Sequence, residues 1–172
     1  MNQKTKNLNL VLSALFAAII TIFTAWLFHI PIKIGSNTAY LHFGDAFLFL
    51  AASLLPTGYA SAVAAVGGGL ADLFCGSAVW APFTIVIKAL IAACFSSKGK
   101  KILSKRNLFA FIPALFITVI GYYIAEAIIY GNWITPALSV LGNVVQIFGS
   151  AVIYIFVSVA LQKIGIKNRL IK

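Results

Sequence analysis

Residues 10–28 contain no charged side chain, and this uninterrupted apolar run constrains the chain more than any other feature. A helix needs about 20 predominantly apolar residues to cross the roughly 30 Å hydrocarbon core of a bilayer. The same character extends through all 172 residues, of which 62% are hydrophobic and 9% charged. Charged residues make up about a quarter of an average soluble domain. The sequence therefore predicts an integral membrane protein and excludes a soluble one.

Six apolar segments, separated by polar or turn-forming residues, predict an all-α membrane protein with six transmembrane helices. Pro56 and Gly58 separate the second segment from the third, and Pro82 suits the first turn of the fourth helix. We predict the helices at residues 10–28, 43–55, 59–74, 82–95, 108–130 and 136–164. The whole chain, residues 1–172, is expected to form one domain.

The distribution of positive charge predicts the orientation of these helices. Eleven of the thirteen Lys and Arg residues lie in three hydrophilic segments: Lys4 and Lys6; Lys98, Lys100, Lys101, Lys105 and Arg106; and Lys163, Lys167, Arg169 and Lys172. Positively charged segments beside membrane helices stay in the cytoplasm. Both termini are therefore predicted to be cytoplasmic, and loops 32–40, 75–79 and 131–135 to face out. Because the charges mark loops beside a bilayer, no nucleic-acid partner is expected.

Four ionisable residues fall near or inside the predicted helices, namely Asp45, Asp72, Lys88 and Glu126. Such residues are energetically costly in a membrane and usually functional. At about 1.5 Å of rise per residue, all four lie in the outer half of the bilayer. Their placement predicts a pocket that opens to the outside.

Helical spacing places further polar and aromatic side chains on shared faces, because residues three or four apart lie on one side of a helix. The aligned residues are Trp80, Thr84 and Lys88; Tyr122, Glu126 and Tyr130, with Tyr123 adjacent; and Ser139, Asn143, Gln146 and Ser150. Together with Trp133 in the neighbouring loop, they have the composition of a small-molecule site, with aromatic walls and a few polar anchors. Three alternatives stay open: hydrogen bonds between helices for Asn143 and Gln146, a Lys88–Asp72 ion pair, and an interfacial aromatic belt.

Other classes of protein find less support in the residues. His42 and Asp45 are three apart, as a metal site or an acid–base pair would require, but two histidines and three acids offer little material for a membrane enzyme. We therefore expect no catalytic residues, metal or cofactor. The main alternative is a self-sufficient proton-coupled secondary carrier that uses Asp72 or Glu126, and a purely structural membrane subunit is a further one.

Several short motifs together resemble those of one transporter family. The motifs are Ala14 and Ala18 as Ala-x-x-x-Ala in the first helix, Leu41-His42-Phe43-Gly44-Asp45, Gly69-Leu70-Ala71-Asp72-Leu73, and Trp80-Ala81-Pro82-Phe83-Thr84 followed by Ile87-Lys88. With six spans in about 170 residues, the chain resembles the substrate-binding S components of energy-coupling factor (ECF) vitamin transporters. Within that family it is most similar to the hydroxymethylpyrimidine or pyridoxine type.

The resemblance implies a division of labour in the bacterial cell membrane. The S component captures a vitamin, while a membrane coupling protein and two cytoplasmic ATPases supply the energy. It further implies that Ala14 and Ala18 contact the coupling protein, and that the vitamin binds near the outer surface among helices four to six. The expected substrate-binding residues are Glu126, Lys88, Asn143, Gln146, Tyr122, Tyr123, Trp80, Thr84, Trp133, Asp72, His42 and Asp45.

Overall fold

The computed structural model of the protein describes residues 2–27, 30–34, 37–41 and 43–167. Its elements in chain order are α1 (Gln3–Ala25), β1 (Ile30–Ile34), β2 (Asn37–Leu41), α2 (Gly44–Leu54), α3 (Thr57–Phe74), α4 (Ala81–Cys94), α5 (Lys105–Phe109), α6 (Phe111–Tyr130) and α7 (Pro136–Lys163). Each predicted apolar segment forms a helix, so the helical fold is confirmed. The number of complete membrane spans and the orientation of the termini stay predictions.

The structure differs from the sequence-based prediction in two places. Within the segment predicted as a plain outer loop, residues 32–34 and 37–40 belong to two antiparallel strands in which Ile30 lies opposite Leu41 and Ile34 opposite Asn37. The predicted fifth helix is divided, because Ser104 caps a separate short helix, α5, before α6 begins. The expectation of an all-α chain therefore needs one addition, the β1–β2 hairpin.

The helices of the bundle differ in length and in burial. Within the described residues, three segments are long and apolar enough to cross a membrane: Gln3–Ala25, Lys105–Tyr130 and Pro136–Lys163. Helices α2 and α4 have 11 and 14 residues. At about 1.5 Å per residue, α2 is too short to span a bilayer. It lies instead among the other helices, and all of it except Phe47 and Leu54 is buried.

The helices pack side by side in a closed order, α1, α3, α4, α6, α7, α2 and back to α1, and α2 also contacts α3 and α4. Aromatic rings fill the centre: Phe49 of α2 lies 5.1 Å from Phe95 and 5.0 Å from Phe111, measured between ring centroids. Tyr154 of α7 lies 5.6 Å from Phe111. Contacts between aromatic rings at these distances stabilise a core beyond the area that they bury.

One end of the bundle, which we call the basic end, contains the start of α1, the α4–α5 loop and the end of α7. Asn107 joins the elements there, because its side chain accepts from the Ser96 backbone N–H and donates to Ser53 Oγ. Lys167 Nζ donates to the Ser53 carbonyl at 2.9 Å, and burial lowers the pKa of this ammonium group. The opposite end, which we call the hairpin end, contains β1 and β2.

Glycines in α3 allow it to pack tightly between α1 and α4. A Cβ atom at Gly67 would lie 2.9 Å from Ile20 Cβ and 3.2 Å from the Ala17 carbonyl oxygen of α1. The close approach also brings the Thr21 hydroxyl to 3.1 Å from the Gly67 carbonyl, to which it donates. Small residues at such positions are the usual means by which membrane helices approach one another.

We predict that Gly67→Ala separates α1 from α3 and lowers the free energy of unfolding by about 1–3 kcal/mol, the usual cost of overpacking. Gly58→Ala is the matched control, because nothing lies within 4 Å of a Cβ atom at that position of the same helix. The midpoint of thermal unfolding of the detergent-purified variants measures the difference. Equal midpoints for the two variants would show that the α1–α3 contact tolerates a methyl group.

Candidate functional site

The three carboxylates of the chain lie on helices that meet toward the hairpin end. Asp45 is in the first turn of α2, Asp72 is near the end of α3, and Glu126 is in the last turns of α6. Asp45 benefits from its position, because the start of a helix carries a partial positive charge that favours a carboxylate. All three acidic residues of the chain therefore lie in the half of the bundle nearer the hairpin end.

A buried ion pair between α2 and α4 lies at the innermost part of the candidate site. Lys88 Nζ lies 2.5 Å from Asp45 Oδ1, and the two side chains are 6% and 2% exposed. Gln146 of α7 donates from Nε2 to Asp45 Oδ2 at 3.4 Å. The pair therefore links three helices. Its acidic partner is Asp45, whereas the sequence suggested Asp72.

Thr84 and Lys88 connect the ion pair to residues of α3 and α6. The Asp72 carboxylate lies near the Thr84 side chain and within the electrostatic reach of Lys88. The Tyr122 hydroxyl donates to Thr84 Oγ1 at 3.4 Å, and Lys88 Nζ lies 5.6 Å from the centroid of the Tyr122 ring. A cation at that distance from an aromatic face is attracted to it.

Gly68, which lies at a helical step from Asp72 on a face of small residues in α3, makes this arrangement possible. A Cβ atom there would lie 3.0 Å from Lys88 Cγ and 3.0 Å from Thr84 Cγ2. The backbone of α3 thus reaches the polar face of α4. As a result, Asp72 enters the cluster, with its Oδ2 buried and without a hydrogen-bond partner among the described residues.

Aromatic side chains adjoin the polar cluster on the side toward the hairpin end. The Trp80 ring lies 6.5 Å from Tyr122 and 6.2 Å from Tyr130, measured between ring centroids. Tyr123 has a different role, because its hydroxyl donates to the Trp133 carbonyl at 2.5 Å and ties α6 to the following loop. The Trp133 side chain itself is 60% exposed. Of the predicted aromatic residues, Trp80 and Tyr122 therefore lie against the cluster.

The remaining predicted residues lie between α6 and α7. Glu126 is 9% exposed, and its Oε1 accepts a hydrogen bond from Ser139 at 3.0 Å. It therefore faces α7, whereas Tyr122, one turn earlier, faces α4. Asn143 is half-buried on α7 between Ser139 and Gln146. His42 lies outside the described residues.

An apolar groove of about 520 Å³ lies between α1 and α3. Its lining residues are Leu10, Ser13, Ala14, Ala17, Gly58, Tyr59, Ala62, Val63 and Val66. Of the two predicted partner-binding residues, Ala14 lines the groove, and both Ala14 and Ala18 are exposed on α1. A surface of this kind offers a partner helix close approach, because its side chains are small.

Comparison with known families identifies one match. The family model of the ECF-type riboflavin transporter, S component, matches residues 4–163. The resemblance to ECF S components is thereby confirmed, but the hydroxymethylpyrimidine or pyridoxine type is not supported. Among curated proteins, none matches the sequence.

We predict that the Asp45–Lys88 pair behaves as one unit in unfolding experiments. Lys88→Met alone leaves a buried carboxylate and Asp45→Asn alone leaves a buried ammonium, and breaking a buried pair from one side costs about 3–5 kcal/mol. The double variant leaves neither charge, so it should unfold at a higher temperature than either single variant. Thermal unfolding of all three proteins measures this coupling. Strictly additive losses would show that the two side chains do not depend on each other.

Proposed function

Because the chain belongs to the S-component family of ECF-type riboflavin transporters, we propose that it binds riboflavin at the hairpin end for ATP-dependent uptake. Members of this family are membrane-embedded transport components that take part in vitamin uptake, and the family is not one of enzymes. Riboflavin replaces the hydroxymethylpyrimidine or pyridoxine that the sequence motifs suggested.

The observation that carries this proposal is the polar cluster at the hairpin end, together with the aromatic rings that adjoin it. Riboflavin is a flat fused ring system with an imide N–H between two carbonyl groups and a chain of hydroxyl groups. Trp80 and Tyr122 offer faces on which such a ring stacks, each contact being worth about 0.5–1.5 kcal/mol beyond the buried area. Asp72 offers a buried acceptor, Oδ2, that an N–H or O–H of the ligand would satisfy.

The orientation that we propose places the hairpin end outside and the basic end in the cytoplasm of a bacterial cell. Exposed lysines and an arginine surround the basic end, and such residues stay on the cytoplasmic side of membranes. The polar cluster would then receive the vitamin from outside. The same orientation gives the partners of the uptake system access to the basic end.

Those partners are, in our proposal, a membrane coupling protein and two cytoplasmic ATPases. The apolar groove beside Ala14 supports this assignment, because it is open to the lipid-facing side and carries small side chains on both α1 and α3. A helix of the coupling protein would approach α1 closely there. Ala18, one turn further along α1, extends the same exposed face.

We predict that the purified chain alone binds one riboflavin molecule, with quenching of flavin fluorescence by the aromatic rings that stack on it. Isothermal titration and fluorescence titration measure the affinity and stoichiometry, with pyridoxine, hydroxymethylpyrimidine and thiamine as competitors. Tight binding of pyridoxine with no binding of riboflavin would reject riboflavin as the substrate. Uptake by the chain alone, driven by a proton gradient in liposomes, would instead favour a secondary carrier.

Carboxylate variants locate the ligand within the same titration. Asp72→Asn and Glu126→Gln should each weaken riboflavin binding at least tenfold, because a buried acceptor that contacts a ligand donor contributes about 1–3 kcal/mol and more when charged. Thr118→Val is the control, because this buried hydroxyl of α6 donates to the Ala114 carbonyl of its own helix. If the three variants bind riboflavin equally well, neither carboxylate contacts the ligand.

We also predict that the double variant Ala14→Trp and Ala18→Trp binds riboflavin normally but does not support ATP-dependent uptake. Bulky side chains there would fill the groove and keep the coupling protein away from α1, while the polar cluster is left unchanged. Ala93→Trp is the matched control, since Ala93 is an exposed alanine on α4. Uptake is measured in liposomes that contain the complete transporter. An equal loss of uptake in the Ala93 variant would contradict a specific role for α1.

A further inference from the structure

The basic end carries a dense collar of exposed positive charge, formed by Lys4, Lys6, Lys98, Lys100, Lys101, Lys105, Arg106 and Lys163. We call these residues the cationic collar. The acidic residues of the sequence, Asp45, Asp72 and Glu126, all belong to the other half of the bundle. No carboxylate side chain therefore neutralises the cationic collar, and its charges face outward together.

Hydrogen bonds join two parts of the cationic collar, the α4–α5 loop and the end of α7, and the start of α1 is placed by its packing beside α3. The Leu103 backbone N–H donates to Gln162 Oε1 near the end of α7, and Lys167 Nζ donates to the Lys101 carbonyl. The start of α1 lies beside the start of α3, since Leu10 and Gly58 line the same groove. The loop between α4 and α5 is thus held in place by hydrogen bonds to the end of α7. This restraint reduces the conformational entropy that the loop loses when its charges bind a ligand.

Exposed apolar side chains directly adjoin each part of the cationic collar. In and after α5, Arg106 is followed by Leu108, Phe109 and Ile112, which are 42%, 68% and 56% exposed. The same change occurs on the other two helices, where Leu10 and Val11 follow Lys6, and Ile164 follows Lys163. The surface therefore changes within about one helical turn from charged to apolar.

This combination matches the two parts of a phospholipid. An amphipathic segment at a membrane interface inserts its apolar side chains among acyl chains and keeps its cations at the level of the headgroups. Each Lys or Arg near an anionic leaflet contributes a favourable electrostatic interaction. An acidic protein surface would satisfy the charges but would leave Phe109 and Ile112 without an apolar environment.

We propose that the cationic collar binds the phosphate groups of anionic phospholipids, with Lys105 and Arg106 of α5 at the centre of the contact. The apolar residues of α5 and the start of α6 enter the acyl region, and the two cations hold the headgroups above them. Lys167 takes no part, because its ammonium is buried against backbone carbonyls. This binding is independent of the vitamin that the hairpin end recognises.

The test uses the full-length protein in neutral detergent, titrated with dioleoyl phosphatidylglycerol or dioleoyl phosphatidylcholine, with bound lipids counted by native mass spectrometry. The wild-type protein should retain phosphatidylglycerol in preference to phosphatidylcholine. Arg106→Gln should weaken phosphatidylglycerol binding about fivefold, and the further change Lys105→Gln should weaken it by a similar factor again. Binding of phosphatidylcholine should not change.

Lys33→Gln is the matched control, because it removes one positive charge from β1, at the hairpin end. Its effect on phosphatidylglycerol binding should be small. Equal retention of the two lipids, or an equal loss for the Lys33 and Arg106 variants, would overturn the proposal. Displacement of phosphatidylglycerol by an equal concentration of glycerol 3-phosphate would also overturn it, since the surface would then bind soluble phosphate. If Arg106→Gln does not fold, Lys105→Gln alone provides the same comparison.

Discussion

The ion pair between Asp45 and Lys88 is the interaction on which the rest of the hairpin end depends. Removing two charges from water is costly, and their attraction compensates only when the geometry is good and the remaining polar atoms are hydrogen-bonded. Here Gln146 donates to the second oxygen of Asp45, and the start of α2 adds its partial positive charge. Because α2 is short and enclosed, the pair lies inside the bundle, where α2, α4 and α7 converge on it.

The candidate site extends from this pair toward the hairpin end. Lys88 lies over the Tyr122 ring, and the Tyr122 hydroxyl donates to Thr84, whose side chain lies near Asp72. A change at Lys88 would therefore disturb both the ion pair and the aromatic ring that we propose as a ligand contact. The polar residues at the basic end are organised differently. There Asn107 and Lys167 bind backbone carbonyls and close the bundle.

Several features of the fold could be predicted from the sequence because they depend on local patterns. The lengths of the apolar segments predicted the helices. The four-residue spacing of Thr84 and Lys88 correctly predicted that both lie on one face of α4. The hairpin was missed, although Ile30, Ile32 and Ile34 alternate with other residues before a Gly-Ser pair, as in a strand and turn. Because the segment lies between two apolar stretches that were predicted as membrane helices, it was predicted as a simple connecting loop.

The contact partners of individual side chains could not be predicted from the sequence. They depend on the position of each helix start along the bundle axis, which decides which residues of neighbouring helices lie at the same level. Lys88 pairs with Asp45, 43 residues away, and the choice of Asp45 over Asp72 follows from the buried start of α2. Likewise, Tyr122 and Glu126 are one turn apart, but a rotation of about 40° between such positions on a helix of 3.6 residues per turn is enough to direct one toward α4 and the other toward α7. A four-residue spacing therefore shows that two residues lie on the same side of a helix. When that helix packs between two neighbours, the spacing does not show which neighbour each residue contacts.

The charges in the helices of the hairpin end also constrain the kind of ligand that they can accept. Asp45 and Lys88 neutralise each other, and the other buried lysine of the described residues, Lys167, lies at the basic end, far from Asp72 and Glu126. A phosphorylated ligand would bring further negative charge toward these carboxylates into a region of low dielectric, where repulsion between like charges is strong. A neutral ring with N–H and hydroxyl donors avoids this repulsion and supplies hydrogen bonds to the same oxygens. The electrostatics of the proposed site therefore favour a neutral ligand over a phosphorylated one.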